Sequence, residues 1–174
     1  ENLYGIILCE GAQGFWLDIN FGNYPYITSS TTLPYGACSL GFSPKLIQWI
    51  YGACKIYDTR SGQDPLFPED LLNDAELLLV ADAGKEYGTT TGRRRKVNWL
   101  NIEKLKDAIN ISGTTHLIIS KIDVLENINI FKLINNDIIS FSDINTMKRY
   151  IEEYLRINCT DLTYIFYSND VENI

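Results

Sequence analysis

Three short, largely apolar runs, each followed at once by polar residues, constrain this chain more than any other feature. They span residues 6–9, 117–119 and 162–166. Short apolar runs of this kind are typical of parallel strands that are buried on both faces. Their polar followers then lie at the carboxyl ends of the strands, where open α/β sheets bind ligands. The pattern predicts an α/β fold with a mostly parallel central sheet flanked by helices, and one shared site.

The segments between these runs alternate between helical and strand-like periodicity. From Pro44 to Cys54 apolar residues recur at helical spacing, which predicts a helix, and residues 55–60 then favour a strand. Asn101 suits the N-cap of a helix that Gly113 ends. The other expected elements are a short helix at 69–74, an alternating strand at 128–139 and a last helix at 144–157 capped by Ser142 or Asp143.

The chain is acidic, with a net charge of -7 over 174 residues. A general nucleic-acid surface is therefore not expected, because phosphate binding needs a positive field. No run reaches the roughly 18 consecutive apolar residues of a membrane span, so we expect no membrane partner. Cys9, Cys38, Cys54 and Cys159 form no CxxC pair, and His116 is the single histidine. These features disfavour a zinc site and favour a reduced, cytoplasmic protein.

Lys121 and Asp123 directly follow the second apolar run. An aspartate offers two acceptor oxygens, which match the N1–H and the 2-amino group of guanine, whereas adenine presents an acceptor and no 2-amino donor there. The lysine stem can lie over the base while its ammonium group stays hydrated. The alternative interpretation is a solvated pair of charges after a strand.

Residues 88–96 form a second candidate segment, in which two glycines bracket three threonines and four cations follow. Backbone N–H groups, hydroxyls and guanidinium forks suit a carboxylate or a phosphate. The alternatives are a basic solvated surface and a nucleic-acid patch. Because neighbours in an extended loop point in opposite directions, we expect Arg94 and Lys96 to be solvated if Arg93 and Arg95 bind the anion.

The third candidate segment is residues 10–14, with the sequence EGAQG, followed by hydroxyl residues at 28–30. Gln13 presents both an amide donor and an acceptor, and Thr28 could contact a phosphate. The alternative is a glycine turn beside a polar loop. It is not a Walker A loop, because GxxxxGK[ST] does not occur in the sequence.

The ordered set EGAQG, LDI, GNYPYITSS, GTTTGRRR and SKIDVL, between residues 6 and 126, resembles adenylosuccinate synthetases. Enzymes of this family join L-aspartate to C6 of IMP, using GTP and Mg²⁺. They phosphorylate the 6-oxygen, and the aspartate amine then displaces it. The resemblance implies a P-loop-NTPase-like synthetase fold, a homodimer, and the small-molecule substrates IMP, L-aspartate and GTP.

The resemblance also implies a role for each matching residue. Gln13 would be catalytic, contacting the purine near its 6-oxygen, and would bind IMP together with Thr28 and Arg93. The residues implied to bind aspartate are Thr89, Thr90, Thr91, Gly92, Arg93 and Arg95. Those implied to bind GTP are Arg95, Lys121, Asp123, Ser168 and Asn169.

The sequence also departs from the family pattern. The phosphate loop GDEGKGK is absent, and with it the general base, the general acid and the main Mg²⁺ ligands, so no metal ligand is expected in this chain. We expect residues 1–174 to be the C-terminal portion of a single synthetase domain whose N-terminal part is missing, and to be inactive alone. Two alternatives stay open: a phage 2-aminoadenylosuccinate synthetase acting on dGMP, and a non-catalytic nucleotide-binding remnant. GTP and ATP also remain alternatives as energy donor.

Overall fold

The structure is a computed structural model that describes residues 5–88 and 92–168 of the chain. The chain divides into two compact units, Glu1–Gln48 and Trp49–Ile174. The expectation of one domain spanning residues 1–174 stays a prediction.

The second unit is built from strands and helices in alternation. Its strands are β1 (Tyr51–Lys55), β2 (Tyr57–Arg60), β3 (Lys96–Asn101), β4 (His116–Ser120), β5 (Lys132–Asn135), β6 (Asp137–Ser140) and β7 (Tyr164–Tyr167). Its α-helices are α1 (Ala75–Ala83), α2 (Ile102–Ser112), α3 (Ile122–Ile128) and α4 (Ile144–Asn158), and a 3-10 helix spans Glu69–Asn73.

The strands form two sheets. The first has the order β1-β4-β7 and is parallel throughout, with Tyr51 opposite His116 and His116 opposite Tyr164. The second has the order β2-β3-β5-β6, in which β3 and β5 are parallel and the outer pairs antiparallel. A buried core joins side chains of both sheets and the helices, among them Leu117 and Ile119. The predicted α/β fold with a parallel sheet and flanking helices is confirmed.

The predicted helix boundaries hold where a capping side chain is present. Asn101 accepts a hydrogen bond from the N–H of Lys104 at 3.0 Å, and Gly113 ends α2 in the left-handed conformation at φ 68°. Asp143 caps α4 by accepting from the N–H of Thr146 at 2.9 Å. The inward face of α4 carries the buried side chains of Met147, Ile151 and Leu155, as its periodicity predicts.

Two predicted elements near the start of the chain are wrong. Residues 6–9 form no strand, and Ile6 and Leu8 are exposed, because no strand of the described residues lies beside them to complete a ladder. The helix predicted from Pro44 is a single 3-10 turn, Pro44–Leu46, and Tyr51–Lys55 is strand β1. Pairing with β4 overrides the helical spacing of the apolar residues there.

Other predicted elements need smaller corrections. The strand expected at 128–139 is the hairpin of β5 and β6, which turns at Asn136 in the left-handed conformation at φ 58°. The sequence analysis missed helices α1 and α3. The helix expected at 69–74 is a 3-10 helix, and β7 lies about two residues later than predicted. Lys55 belongs to β1, so the strand predicted at 55–60 starts at Tyr57.

A buried aspartate organises the first unit. The carboxylate of Asp18 accepts from the N–H groups of Asn20 at 2.8 Å and Thr32 at 2.6 Å, and from the Thr31 hydroxyl at 2.9 Å. Burial by itself raises the pKa of this carboxyl, but the hydrogen bonds outweigh it and the net pKa is lowered. Asp18 therefore stays ionised and fixes the loop through these hydrogen bonds. In the same loop there is no space for a Cβ at Gly22.

Within the described residues, no helix is long and apolar enough to span a membrane. The four cysteines are free thiols; Cys159 is buried, whereas Cys9 is exposed, since the strand expected around it does not form.

Asp58 on β2 provides a test of stability against pH. Its carboxylate accepts from the N–H of Asn101 at 3.2 Å. Burial raises its pKa to about 6, against the opposing effects of that hydrogen bond and of the Lys104 charge. Because the folded state holds this proton more tightly than the unfolded state, ionisation removes stability as the pH rises from about 4 to about 6.

The variant Asp58→Asn should therefore gain stability over the parent chain as the pH rises, by up to about 3 kcal/mol at pH 7. Urea unfolding at pH 4 and pH 7 measures this difference, with the exposed Asp161→Asn as the matched control. A difference between variant and parent that is the same at both pH values would contradict the prediction.

Candidate functional site

The carboxyl ends of β4 and β7 bring together three of the predicted site residues. Lys121 directly follows β4, and Asp123 lies in the first turn of α3. Ser168 follows β7, and its N–H donates to the Ile119 carbonyl of β4 at 3.0 Å. Asn169 lies outside the described residues. The ends of the second and third apolar runs therefore meet at one edge, as expected, whereas residues 6–9 form no strand.

The two charged residues at this edge, Lys121 and Asp123, have different surroundings. Lys121 adopts the left-handed conformation at φ 67°, uncommon for a residue with a side chain, and its Nζ donates to the Gly84 carbonyl at 3.2 Å. Asp123 is half-buried, and within the described part of the chain its carboxylate accepts no hydrogen bond and forms no ion pair. Both of its oxygens are thus available as acceptors.

The basic segment forms a closed loop. Tyr87 and Arg94 form an isolated antiparallel bridge, the N–H of Gly88 donates to the Arg93 carbonyl at 2.8 Å, and that of Gly92 donates to the Gly88 carbonyl at 2.8 Å. Gly92 has a φ of 62°, which glycine adopts without strain. Thr89, Thr90 and Thr91 lie outside the described residues.

The cations of this loop have different surroundings. Arg93 is exposed, while Arg95 lies 3.3 Å from the buried carboxylate of Glu86. The Nε of Arg95 is buried and has no hydrogen-bond partner in the part of the chain that the structure describes. Arg95 thus retains a donor for a further acceptor.

The expectation of a solvated side chain is wrong for Lys96, whereas Arg94 lies at the surface with its side chain 31% exposed. Arg94 forms an ion pair with Asp82 and lies over the Tyr87 ring. Lys96 is 7% exposed, and its Nζ lies 2.9 Å from Glu69. Lys96 begins β3, so packing of the sheet covers its stem.

A pocket of about 370 Å³ opens beside the basic loop. Its lining residues come from the segment after β2, the 3-10 helix and the loop: Ser61, Gly62, Gln63, Glu69, Leu72, Arg93, Arg94 and Lys96. Three cations face one carboxylate in this set, so the pocket suits a small anion.

Sequence reasoning missed a buried cluster around Glu86, which is 3% exposed. One oxygen of Glu86 accepts from Lys55 Nζ at 2.7 Å and from the Tyr57 hydroxyl at 2.8 Å. Burial by itself raises the pKa of Glu86, but hydrogen bonds from Lys55 and Tyr57 and the charges of Lys55 and Arg95 produce a net lowering. No local pattern marks Glu86, because its partner Lys55 lies 31 residues earlier in the sequence.

Two further site residues lie in the first unit. Gln13 is exposed and left-handed, with φ 62°. The carbonyl of its neighbour Gly14 accepts from the N–H of Leu17 at 2.9 Å, and the Leu17 carbonyl accepts from the N–H of Thr28 at 2.8 Å. One short 3-10 turn, Phe15–Leu17, therefore connects the backbones that carry Gln13 and Thr28.

The family model for adenylosuccinate synthetase matches residues 4–153 of this sequence. The chain belongs to the adenylosuccinate synthetase family. An adenylosuccinate synthetase of Flavobacterium psychrophilum is 46% identical over 128 residues, covering 73% of this chain and 30% of the relative. Adenylosuccinate synthetase 1 of Laccaria bicolor is 37% identical over 169 residues, covering 97% of this chain and 39% of the relative. The chain thus spans about a third of the length of these relatives.

Solved structures agree with this assignment. The fully ligated adenylosuccinate synthetase of Plasmodium falciparum superposes with a TM-score of 0.75 at 27% identity, over 91% of this chain and 46% of that one. A cyanophage succinoaminodeoxyadenylate synthetase bound to dGMP and dATP gives a TM-score of 0.60 at 16% identity, over 92% of this chain and 42% of that one. The second likeness shows the fold alone. The predicted synthetase fold is confirmed.

Proposed function

We propose that this chain is the guanine- and aspartate-binding part of a cytoplasmic ligase that joins L-aspartate to C6 of IMP with hydrolysis of GTP, giving adenylosuccinate for AMP biosynthesis. The observation that carries the proposal is the meeting of Lys121, Asp123 and Ser168 at one sheet edge in a chain of this family. The full-length protein would be a homodimer, and the chain alone would be inactive.

The nucleotide donor would bind at the carboxyl ends of β4 and β7. The open carboxylate of Asp123 would accept from the N1–H and the 2-amino group of guanine, which adenine cannot supply. The lysine stem would lie over the base, and Ser168 and Asn169 would contact the same nucleotide. Arg95 would reach GTP from the basic loop.

The amino-acid substrate would bind at the basic loop. Arg93 is exposed beside a pocket rich in cations, and its planar guanidinium matches a carboxylate with two parallel hydrogen bonds. Thr89, Thr90, Thr91 and Gly92 would supply hydroxyl and backbone donors to the same carboxylates. Arg95, whose side chain is 31% exposed, would complete the aspartate site.

The purine substrate would bind where Gln13 and Thr28 lie, with Arg93 as a further contact. A general base takes the N1 proton of IMP, the 6-oxygen attacks the γ-phosphorus of GTP, and GDP leaves. The aspartate amine then attacks C6 and expels phosphate, and the amine loses a proton. The amide of Gln13 would stabilise the charge that develops on the purine during these steps.

Adenylosuccinate synthetases use Mg²⁺ as well as GTP. Among the described residues, however, no group of three or more His, Cys, Asp or Glu side chains could hold a metal ion. As the resemblance to the family implies, the Mg²⁺ ligands would belong to the GDEGKGK phosphate loop, which this sequence does not contain.

Substituting lysine for Arg93 or Arg95 in a full-length synthetase that includes this chain should raise the KM for aspartate about 10–100-fold, since a charged bidentate contact is lost while the charge stays. Arg149→Lys is the matched control, because Arg149 is an exposed arginine on α4, outside the basic loop and the lining of its pocket. Steady-state kinetics with varied aspartate measure all three variants.

A salt-dependent DNA-binding assay on the same proteins separates the two interpretations of the loop. Equal, small kinetic effects for the three variants, together with tight, salt-sensitive DNA binding, would overturn the assignment of the loop to aspartate.

The coding sequence upstream of this chain separates an enzyme from a non-catalytic remnant. An intact GDEGKGK loop in the same reading frame supports the ligase. Its absence would favour the nucleotide-binding remnant.

A further inference from the structure

Glu86 is buried and charged, yet the chemistry proposed above does not use it. Its side chain is 3% exposed and contacts Lys55, Tyr57 and Arg95. A buried ion pair stabilises a fold no better than well-packed apolar side chains of similar volume. The cluster therefore contributes chiefly by fixing the positions of the groups that meet there.

The backbone of Glu86 connects the basic loop to the end of helix α1. Its N–H donates to the Ala81 carbonyl at 2.9 Å, which fastens it to the end of α1, and its carbonyl accepts from the N–H of Arg95 at 2.9 Å. Arg95 therefore makes two hydrogen bonds to Glu86, one through its backbone N–H and one through its guanidinium group.

The side chain of Glu86 reaches the parallel sheet. Lys55, which donates to it, is the last residue of β1 and lies opposite Ser120, the last residue of β4. The next residue, Lys121, donates to the carbonyl of Gly84, two residues before Glu86. The segment that leads into the basic loop is therefore linked to the end of β1 through Glu86 and to the residue after β4 through Gly84.

Two cations, Lys55 and Arg95, pair with the Glu86 carboxylate, and the charge of Lys121 acts on Lys55. Burial lowers the pKa of Lys55 first of all, and the charges of Arg95 and Lys121 lower it further, whereas Glu86 opposes these effects. Glu86 is the counter-charge that lets Lys55 and Arg95 lie close together.

We propose that Glu86, held by Lys55 and Tyr57, is a positioning residue that sets Arg95 relative to the Lys121 and Asp123 edge, so that one nucleotide contacts both. This inference rests on the function proposed above and adds a residue to which the family resemblance gives no role. Without the carboxylate, Arg95 keeps its charge and loses its fixed position.

The test is steady-state kinetics of Glu86→Gln in a full-length synthetase that includes this chain. The KM for GTP should rise about tenfold, as expected when a binding group is misplaced, and the KM for IMP should stay within about twofold. Asp82→Asn is the matched control: it removes the carboxylate that pairs with Arg94, one residue before Arg95, and should leave both KM values unchanged.

Two further variants keep the test conclusive if Glu86→Gln does not fold. Glu86→Asp keeps the charge and should recover part of the GTP affinity, and Tyr57→Phe removes a single donor to Glu86 and should raise the KM for GTP less than Glu86→Gln does. Equal rises in the KM for GTP and for IMP would show a structural role and overturn the inference, as would an unchanged KM for GTP. An inactive parent enzyme contradicts the proposed function instead.

Discussion

Replacing Gln13 by alanine in a full-length synthetase that includes this chain should lower kcat about 10²–10³-fold, the range observed for lost oxyanion donors. Gln13 is exposed, and the turn beside it is held by main-chain hydrogen bonds of Gly14, Leu17 and Thr28. The side-chain amide is thus free to act on a ligand, and the backbone does not need it. The KM for IMP should change less than kcat, because the charge develops in the transition state.

The backbone of Gln13 allows a sharper version of this experiment. At φ 62° alanine carries the same backbone strain as glutamine, whereas glycine carries none, so Gln13→Ala keeps this strain and Gln13→Gly relieves it while both remove the amide. Both variants should lose kcat alike, while the exposed Gln48→Ala serves as the control. A normal kcat in Gln13→Gly would show that Gln13 only shapes the turn and has no catalytic role.

The variant Asp123→Asn should lose about 2–3 kcal/mol of transition-state stabilisation with GTP, equivalent to a decrease of about 30–150-fold in kcat/KM. The carboxylate of Asp123 accepts no hydrogen bond within the described residues, so the substitution should weaken ligand binding rather than the stability of the fold. The amide of asparagine can donate to the 2-oxo group of xanthine, so xanthosine triphosphate should become the better donor.

Glu126→Gln is the matched control for Asp123→Asn, since Glu126 is an exposed carboxylate on the same helix, α3. It should leave kcat/KM for both nucleotides unchanged. Two results would refute the assignment: equal use of GTP and ATP by the parent enzyme, or no gain with xanthosine triphosphate in Asp123→Asn.

The sequence predicted those parts of the molecule that local chemistry determines. Asn101, Gly113 and Asp143 bound helices α2 and α4 through contacts within a few residues of themselves. The strand ends that carry Lys121 and Ser168 could be predicted as well, because a short apolar run followed by polar residues is a local pattern.

The errors arise where contacts distant in sequence decide the structure. Strand β1 has helical apolar spacing but pairs with β4, more than sixty residues away. The ammonium group of Lys96 meets Glu69, 27 residues earlier, and Glu86 meets Lys55, 31 residues earlier. A single sequence does not show which carboxylate a cation meets, so the cluster around Glu86 could not be predicted.

The most direct test is the product formed by a full-length synthetase that includes this chain, supplied with aspartate, Mg²⁺, either IMP or dGMP, and either GTP or ATP. Adenylosuccinate formed from IMP with GTP, at rates well above those with ATP or dGMP, is the predicted result, and the 174-residue chain alone should form none. Product from dGMP in preference to IMP, or no product from any combination, would contradict the proposed function.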